Sequence, residues 1–229
     1  MDVFGRNVAK DLLKNPEKIK KIILQDNFSD KDIISLIEKS NLRVEYRSKR
    51  EMDDLSGGVH QGIILTIPDY QYKDLNSIIN SNNDDVIVIL DHLEDPHNFG
   101  AIIRTCEALG INGIIIPNDR SVNINSTVVK TSVGAIEYIN IIRVPNLQVA
   151  IKKLKENNFW IIGTDMNGTD YRKIDYNMNT CLVIGNEGKG ISNVIKNNCD
   201  YIVTIPMKGK IDSLNASVSC GIILSRMVD

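Results

Sequence analysis

The chain is poor in the residues that would assign it at once. Its 229 residues include four cysteines, three histidines and one tryptophan, and aromatic residues make up 5%. Cys106, Cys181, Cys199 and Cys220 are scattered without a Cys-x-x-Cys pair, and with His60, His92 and His97 they form no zinc spacing. No metal is therefore expected, and the thiols read as reduced, mostly buried small apolar groups. No segment reaches the roughly 20 apolar residues of a membrane span. The opening Met-Asp-Val-Phe-Gly-Arg also lacks the apolar stretch of a signal peptide, so the expected location is cytoplasmic. Excess positive charge is missing too: 27 basic residues face 29 acidic ones, for a net charge of −2. Residues 1–70 are balanced as well, with 12 of each sign. No global basic field advertises nucleic acid, so any such contact must be local.

What is present is a hydrophobic content of 42%, enough to bury a core in one large domain or two small ones. Up to Pro68 short elements alternate. Spacing predicts a helix over 8–14, a β-rich run over 19–24 and a helix over 30–39 behind a Ser29 cap. A run over 42–46, a helix over 49–55 behind Ser48 and a run over 62–67 complete a small α/β module. Residues 71–84 are polar, with one short helix expected at 74–80, and we place a linker there; the domains are then 1–70 and 85–229. Beyond the linker, apolar runs at 86–90, 113–116, 139–144, 159–163, 181–185 and 201–205 alternate with helical periodicity. Such runs predict an α/β fold with a mostly parallel sheet and helices on both faces. Phe99, Ile102, Ile103, Cys106 and Leu109 mark one covering helix, which Gly110 can end. Ligands bind beyond the carboxyl ends of strands in open sheets of this kind. That singles out the loops at 91–98, 163–168, 185–190 and 206–213.

Three constellations sit in or beside those loops. The first runs Asp91-His-Leu-Glu-Asp95-Pro96-His97-Asn98-Phe-Gly100-Ala-Ile-Ile-Arg104-Thr105. Asp95 with Pro96, or Asn98, makes a good helix start. Arg104 falls in a helix expected to be mostly buried, where a guanidinium needs an anionic partner. The second runs Leu182-Val-Ile-Gly185-Asn-Glu187-Gly188-Lys189-Gly190-Ile-Ser192. Its spacing fails both the Walker A pattern and the dinucleotide fingerprint, which argues against a nicotinamide enzyme. It leaves a turn whose glycines admit a ligand to the backbone, with Glu187 among them. The third runs from Tyr201 through Pro206-Met207-Lys208-Gly209-Lys210 to Asp212-Ser213-Leu214-Asn215-Ala216-Ser217. Asp212 or Ser213 can cap a last helix, which leaves Asn215 unexplained. Each segment taken alone also reads as an ordinary cap or a Gly-rich turn without a ligand.

In this order the three segments resemble the three motifs of the SpoU (TrmH-like) RNA methyltransferases: Asp-Pro-x-Asn-x-Gly-x-Ile-x-Arg-Thr, Gly-Asn-Glu-Gly-x-Gly-x-Ser and Ile-Pro-Met-x-Gly-x-x-x-Ser-Leu-Asn-x-Ser. Phe4-Gly5-Arg6-Asn7-Val8 and Gly58-Val59-His60-Gln61-Gly62 resemble the ends of a small RNA-binding domain of ribosomal-protein-L30-like fold. That domain belongs to the branch that methylates a guanosine of large-subunit ribosomal RNA. The resemblance implies a C-terminal trefoil knot, S-adenosyl-L-methionine as cofactor, a homodimer and ribosomal RNA as substrate. By motif position it implies catalytic roles for Asn98, Arg104, Glu187, Ser213 and Asn215. Thr164, Gly185, Ile205, Met207 and Leu214 then correspond to the cofactor pocket. Arg6, His60, Gln61, Lys208 and Lys210 are the RNA-contact candidates, whereas Lys18, Lys20 and Lys21 read as a solvated face. A transfer-RNA ribose, or RNA binding without catalysis, are the alternative readings.

Methyl transfer to a ribose hydroxyl needs the methyl donor held in line and a proton removed as the bond forms. A guanidinium keeps its proton in proteins. We therefore expect Arg104 to clamp the phosphate beside the target ribose rather than act as base. The scarcity of aromatic residues leaves little room for a base-stacking platform, which favours a shaped, structured RNA segment.

Overall fold

The computed structural model describes residues 1–57, 59–79 and 85–229; Gly58 of the second N-terminal pattern and residues 80–84 of the expected linker lie outside the described residues. The chain forms two units, one from Met1–Gln71 with Ile124–Gly134 and one from Tyr72–Asn123 with Ala135–Asp229.

The first unit contains β1 (Asp2–Phe4), α1 (Arg6–Leu12), β2 (Lys21–Gln25), α2 (Lys31–Ser40), β3 (Val44–Arg47), α3 (Lys49–Ser56) and β4 (Ile63–Thr66). Its sheet order is β1-β4-β2-β3, with β4 antiparallel to β1 and β2, and β2 parallel to β3. Strand β1 has no counterpart in the expected elements. It forms because Val3, 1% exposed, pairs with Leu65, a contact 62 positions away that local periodicity does not report. The cap of α2 is Asp30 rather than Ser29: its Oδ1 accepts the Ile33 N–H at 3.3 Å. At α3 the expected Ser48 cap forms, closed reciprocally by Glu51. The hydrogen bonds from Ser48 hold the Glu51 carboxyl below its ordinary range.

The remaining elements are β5 (Val86–Asp91), α4 (Pro96–Ala108), β6 (Gly113–Pro117), α5 (Ser126–Ser132), β7 (Ile141–Val144), α6 (Leu147–Glu156), β8 (Trp160–Asp170), β9 (Thr180–Gly185), α7 (Asn193–Lys196), β10 (Tyr201–Thr204) and α8 (Ala216–Met227). Helix α5 belongs to the first unit, packed on β1 and α1 with Val128 and Val129 buried. It departs in this way from the expected division at 85. The segment expected as a linker departs too. Lys73 donates its N–H to the Ile141 carbonyl at 2.9 Å, and Ile78 and Ile79 are buried in the second unit's core. A 3-10 turn, Leu75–Ile78, stands where a short helix was expected.

The second sheet is wholly parallel, in the order β10-β8-β9-β5-β6-β7. Every residue of β5 and β9 is buried, as strands covered on both faces require. Ile87, Ile89, Cys181 and Val183 face a core closed by Leu147, Ile151 and Leu154 of α6 and Ile195 of α7. Helices α4 and α8 pack together and lie against β6 and β9. In α4, Asp95 caps the first turn by accepting the His97 N–H and Pro96 sits at the first position; Gly110, with φ +70°, follows the end. Cys106, Cys181 and Cys220 are buried and all four thiols are free, as expected; burial pushes the Cys199 thiol up to about 12. Among the described residues no helix is long and apolar enough to cross a membrane, and no group of side chains could hold a metal ion.

Candidate functional site

At the carboxyl ends of β8, β9 and β10 the chain leaves a cleft of about 680 Å³, within the roughly 300–1,000 Å³ usual for small-molecule sites. Its walls are the loop after β9, the segment that bulges from β8, and the stretch between β10 and α8. The bulge is visible in the register: Ile202 pairs with Gly163, but the next residue, Val203, pairs with Thr169, which leaves residues 164–168 outside the ladder. Glycine is required at 185. A Cβ there would lie 2.1 Å from the carbonyl carbon of Gly190, because the loop folds back onto the strand end. The lining combines the apolar Met166, Ile205, Met207 and Leu214 with the carboxylates of Asp165, Glu187 and Asp212, and one basic residue, Lys189.

One line of hydrogen bonds connects the three motif segments. Asn215 Nδ2 donates to Asn98 Oδ1 at 2.8 Å, and Asn98 Nδ2 donates to Glu187 Oε1 at 3.0 Å. Asn98 is 6% exposed and is free for this because Asp95 does the capping of α4. Asn215, and not Asp212 or Ser213, caps α8: its Oδ1 accepts from the N–H groups of Ser217 and Val218. That accounts for an amide at the start of an apolar helix, and it leaves the other half of the amide to face Asn98.

The other expected site residues fall in three groups. Thr164, Gly185, Ile205, Met207, Ser213 and Leu214 line the cleft, with Thr164 Oγ1 donating to the Val183 carbonyl at 3.1 Å. Arg104 does not line it. The reasoning that α4 would bury this side chain fails, since Arg104 is on the helix's exposed side and makes no ion pair or hydrogen bond among the described residues. Lys208 and Lys210 are exposed. In the first unit, His60 is 4% exposed and engaged at both nitrogens: Nδ1 accepts the Gly62 N–H at 2.9 Å, so Nε2–H donates to Asp53 Oδ1 at 3.1 Å. This fastening leaves His60 with both ring nitrogens engaged within its own unit. Gln61 Oε1 accepts the Arg6 N–H at 2.9 Å, and the Arg6 guanidinium lies 5.5 Å over the Phe28 ring.

Asp165 and Met166 are cleft residues that the motifs did not mark. The signal was present in the polar residues directly following an apolar strand. Lys196 Nζ meets Asp165 Oδ2 at 2.7 Å and holds this carboxyl below its ordinary value.

Comparison with known proteins gives the cleft its context. Residues 85–225 match the model of the SpoU rRNA Methylase family, and residues 3–73 match that for RNA 2′-O ribose methyltransferase substrate binding. A Bacillus subtilis relative assigned by name to the TrmH family of tRNA/rRNA methyltransferases, YacO, is 38% identical over 97% of this chain and 92% of its own. A Staphylococcus saprophyticus relative named for the same family is 40% identical over the same shares. Among solved structures, the SpoU methyltransferase AviRb from Streptomyces viridochromogenes, in complex with AdoMet, is 26% identical with a TM-score of 0.79; the match covers 100% of this chain and 89% of that one. A TrmH/SpoU tRNA modifying enzyme of A. aeolicus is 32% identical with a TM-score of 0.58, covering 67% of this chain and 79% of its own. The expected fold class, a parallel α/β sheet of the trefoil-knotted kind, is thus the observed one. S-Adenosylmethionine, a compact cationic molecule with an adenosine, fits a cleft of this size whose lining is apolar and net acidic. By sequence, fold and family model alike, the chain belongs to the SpoU rRNA Methylase family and is an S-adenosylmethionine-dependent RNA methyltransferase of the TrmH/SpoU type.

Proposed function

We propose that the chain methylates the 2′-hydroxyl of a guanosine ribose in large-subunit ribosomal RNA, as a cytoplasmic homodimer. The observation that carries this is the line Asn215–Asn98–Glu187, which draws the three motif segments to one strand-end cleft. Residues 1–70, joined by α5, serve as the RNA-substrate module and the rest of 85–229 as the methyltransferase domain. The family match at the amino-terminal end supports this division, and so does the shorter coverage by the tRNA modifying enzyme.

When bound, S-adenosylmethionine supplies an electrophilic methyl group. Thr164, Gly185, Ile205, Met207 and Leu214 would hold it, the glycine loop through its backbone and the third loop through apolar side chains. Glu187, oriented by Asn98 and Asn215, would hold polar atoms of the reactants, and Ser213 would offer a hydroxyl from the cleft lining. Arg104, exposed and without a partner among the described residues, serves as a clamp for the RNA phosphate next to the target ribose. Its guanidinium stabilises charge developing on the oxygen and takes no proton. Arg6, Gln61, Lys208 and Lys210 complete the RNA contacts, and the second subunit meets the α8 side, where Val218 is 48% exposed.

Mass-spectrometric mapping of 2′-O-methyl groups in ribosomal and transfer RNA, with and without the gene, tests the proposal. One guanosine of large-subunit RNA should lose its methyl group. Loss confined to transfer RNA overturns the substrate assignment.

A further inference from the structure

At the end of β5 a carboxylate lies where the sheet allows it almost no water. Asp91 is 1% exposed and stands in register with Gly185 of β9. Burying a carboxylate is costly unless donors surround it, so the source of its donors says what it is for. Asp91 Oδ2 accepts the main-chain N–H of Ser192 at 2.7 Å, 101 residues along the chain, and Oδ1 lies 2.6 Å from Nδ1 of His92. Ser192 ends the glycine loop that Gly185 opens.

His92 holds φ at +59°, a conformation that costs a side-chain-bearing residue energy. Its carbonyl accepts Nδ2 of Asn186 at 2.9 Å. The other end of the same amide accepts the N–H groups of Gly188 and Lys189 at 3.0 and 3.2 Å. Asn186 also exchanges two main-chain hydrogen bonds with Gly190, at 3.1 and 2.9 Å. The Asp91-His92 pair therefore grips the loop at both ends, through Ser192 and through Asn186, and Glu187 lies between the grips. Neither Asp91 nor His92 lines the cleft itself.

We infer that Asp91 is a positioning residue for methyl transfer: through Ser192, and through His92 and Asn186, it sets the loop that carries Glu187 before the cofactor arrives. The inference rests on reading the cleft as the cofactor site. A loop held in advance does not have to be ordered at the expense of binding energy, so the benefit should appear in cofactor affinity.

Calorimetric titration of the full chain with S-adenosylmethionine tests this, with melting temperatures recorded alongside. The variants are Asp91→Ala, Asp91→Asn, Asn186→Ala, the double variant Asp91→Ala with Asn186→Ala, and Leu214→Trp, which fills the cleft. Asp91→Ala and Asn186→Ala should each weaken Kd by about tenfold, and the double variant should bind little worse than Asp91→Ala, because the Asn186 grip depends on the His92 conformation that Asp91 holds. Asp91→Asn keeps an oxygen for the Ser192 N–H and should recover affinity to within about threefold of wild type. An unchanged Kd in folded Asp91→Ala, or losses that multiply in the double variant, overturns the inference. Should Asp91→Ala fail to fold, the partly exposed Asn186 takes over the test, and an unchanged Kd in Asn186→Ala overturns it equally. Leu214→Trp separates two failures. If it alone abolishes binding, the positioning role falls and the cleft stands; if it binds normally, the cleft reading falls.

Discussion

Both ends of the parallel sheet carry amide and carboxylate side chains that close on main chain, as Asp91 and Asn186 do at the carboxyl end, but only at the carboxyl end does one line of them run on into the cleft. At the amino ends of the strands, Asn112 Oδ1 accepts the Val86 N–H at 2.9 Å, Asn179 Oδ1 accepts the Asp85 N–H at 3.0 Å, and Asp200 Oδ2 accepts the Ile161 N–H at 2.8 Å. Asn140 donates to the Asn112 carbonyl, and Asn112 donates to Asp85 Oδ1 at 2.8 Å. All but the last of these bonds end on main chain. At the carboxyl ends the line from Asn215 through Asn98 to Glu187 runs side chain to side chain and finishes on a carboxylate that is itself exposed in the cleft. Polar groups that close on backbone hold strands in place and leave nothing over. Those that finish in a cleft leave acceptor atoms for a ligand. Removing a group should therefore cost stability at one end and function at the other.

The largest effect belongs to the functional end. Arg104→Lys keeps the charge and loses the planar fork, and turnover should fall about 100-fold with cofactor Kd nearly unchanged. Single-turnover kinetics beside calorimetry reads both; near-normal turnover removes Arg104 from the mechanism. At the opposite end, Asn112→Ala strips an acceptor from the Val86 N–H and the donor from buried Asp85. It should cost about 2 kcal/mol, with Kd unchanged and a melting temperature lower by about 4–8 °C. A Kd that moves with it would erase the distinction between the two ends. Asn215→Asp gives a smaller and more selective change. Aspartate caps a helix as well as asparagine does, so α8 should stay put, but no N–H remains for Asn98. We expect turnover about tenfold lower at unchanged melting temperature.

Strand positions in the second unit were legible because buried parallel strands appear as unbroken apolar runs, and the run predicted from residue 86 is β5. The cleft was legible from motif order, which carries information that local periodicity lacks. The failures share a physical cause. Strand β1 and the docking of α5 depend on partners more than 60 residues away. Arg104 was judged from its neighbours Ile103 and Cys106, but a helix turns about 100° per residue, so adjacent positions can face opposite ways. His60 was taken as a surface contact, whereas its two hydrogen bonds reach Gly62 and Asp53, local partners whose geometry only the folded turn supplies. The Asn215 cap was missed because Asp212 and Ser213 are equally good caps by type, and the choice rests on where the loop lets the helix begin.

The smallest expected effect concerns charge at the cleft. The hydrogen bond from Lys196, and after it the Asn167 N–H, hold the Asp165 carboxyl below its ordinary value of 3.8. A carboxyl lowered in the folded state contributes stability above that ordinary value and loses it as pH falls through the lowered folded value. The pair is partly solvated, with Asp165 28% and Lys196 36% exposed, so after screening its contribution is about 0.5 kcal/mol or less. Asp165→Asn should thus melt about 1–2 °C below wild type near neutral pH, and the two curves should converge as the buffer is taken below 3.8. Scanning calorimetry across that interval reads the difference. A gap that persists in acid would mean that Asp165 acts through the shape of the bulge at 164–168 and not through its charge. The contrast between the two ends of the sheet would then rest on backbone geometry alone at this strand.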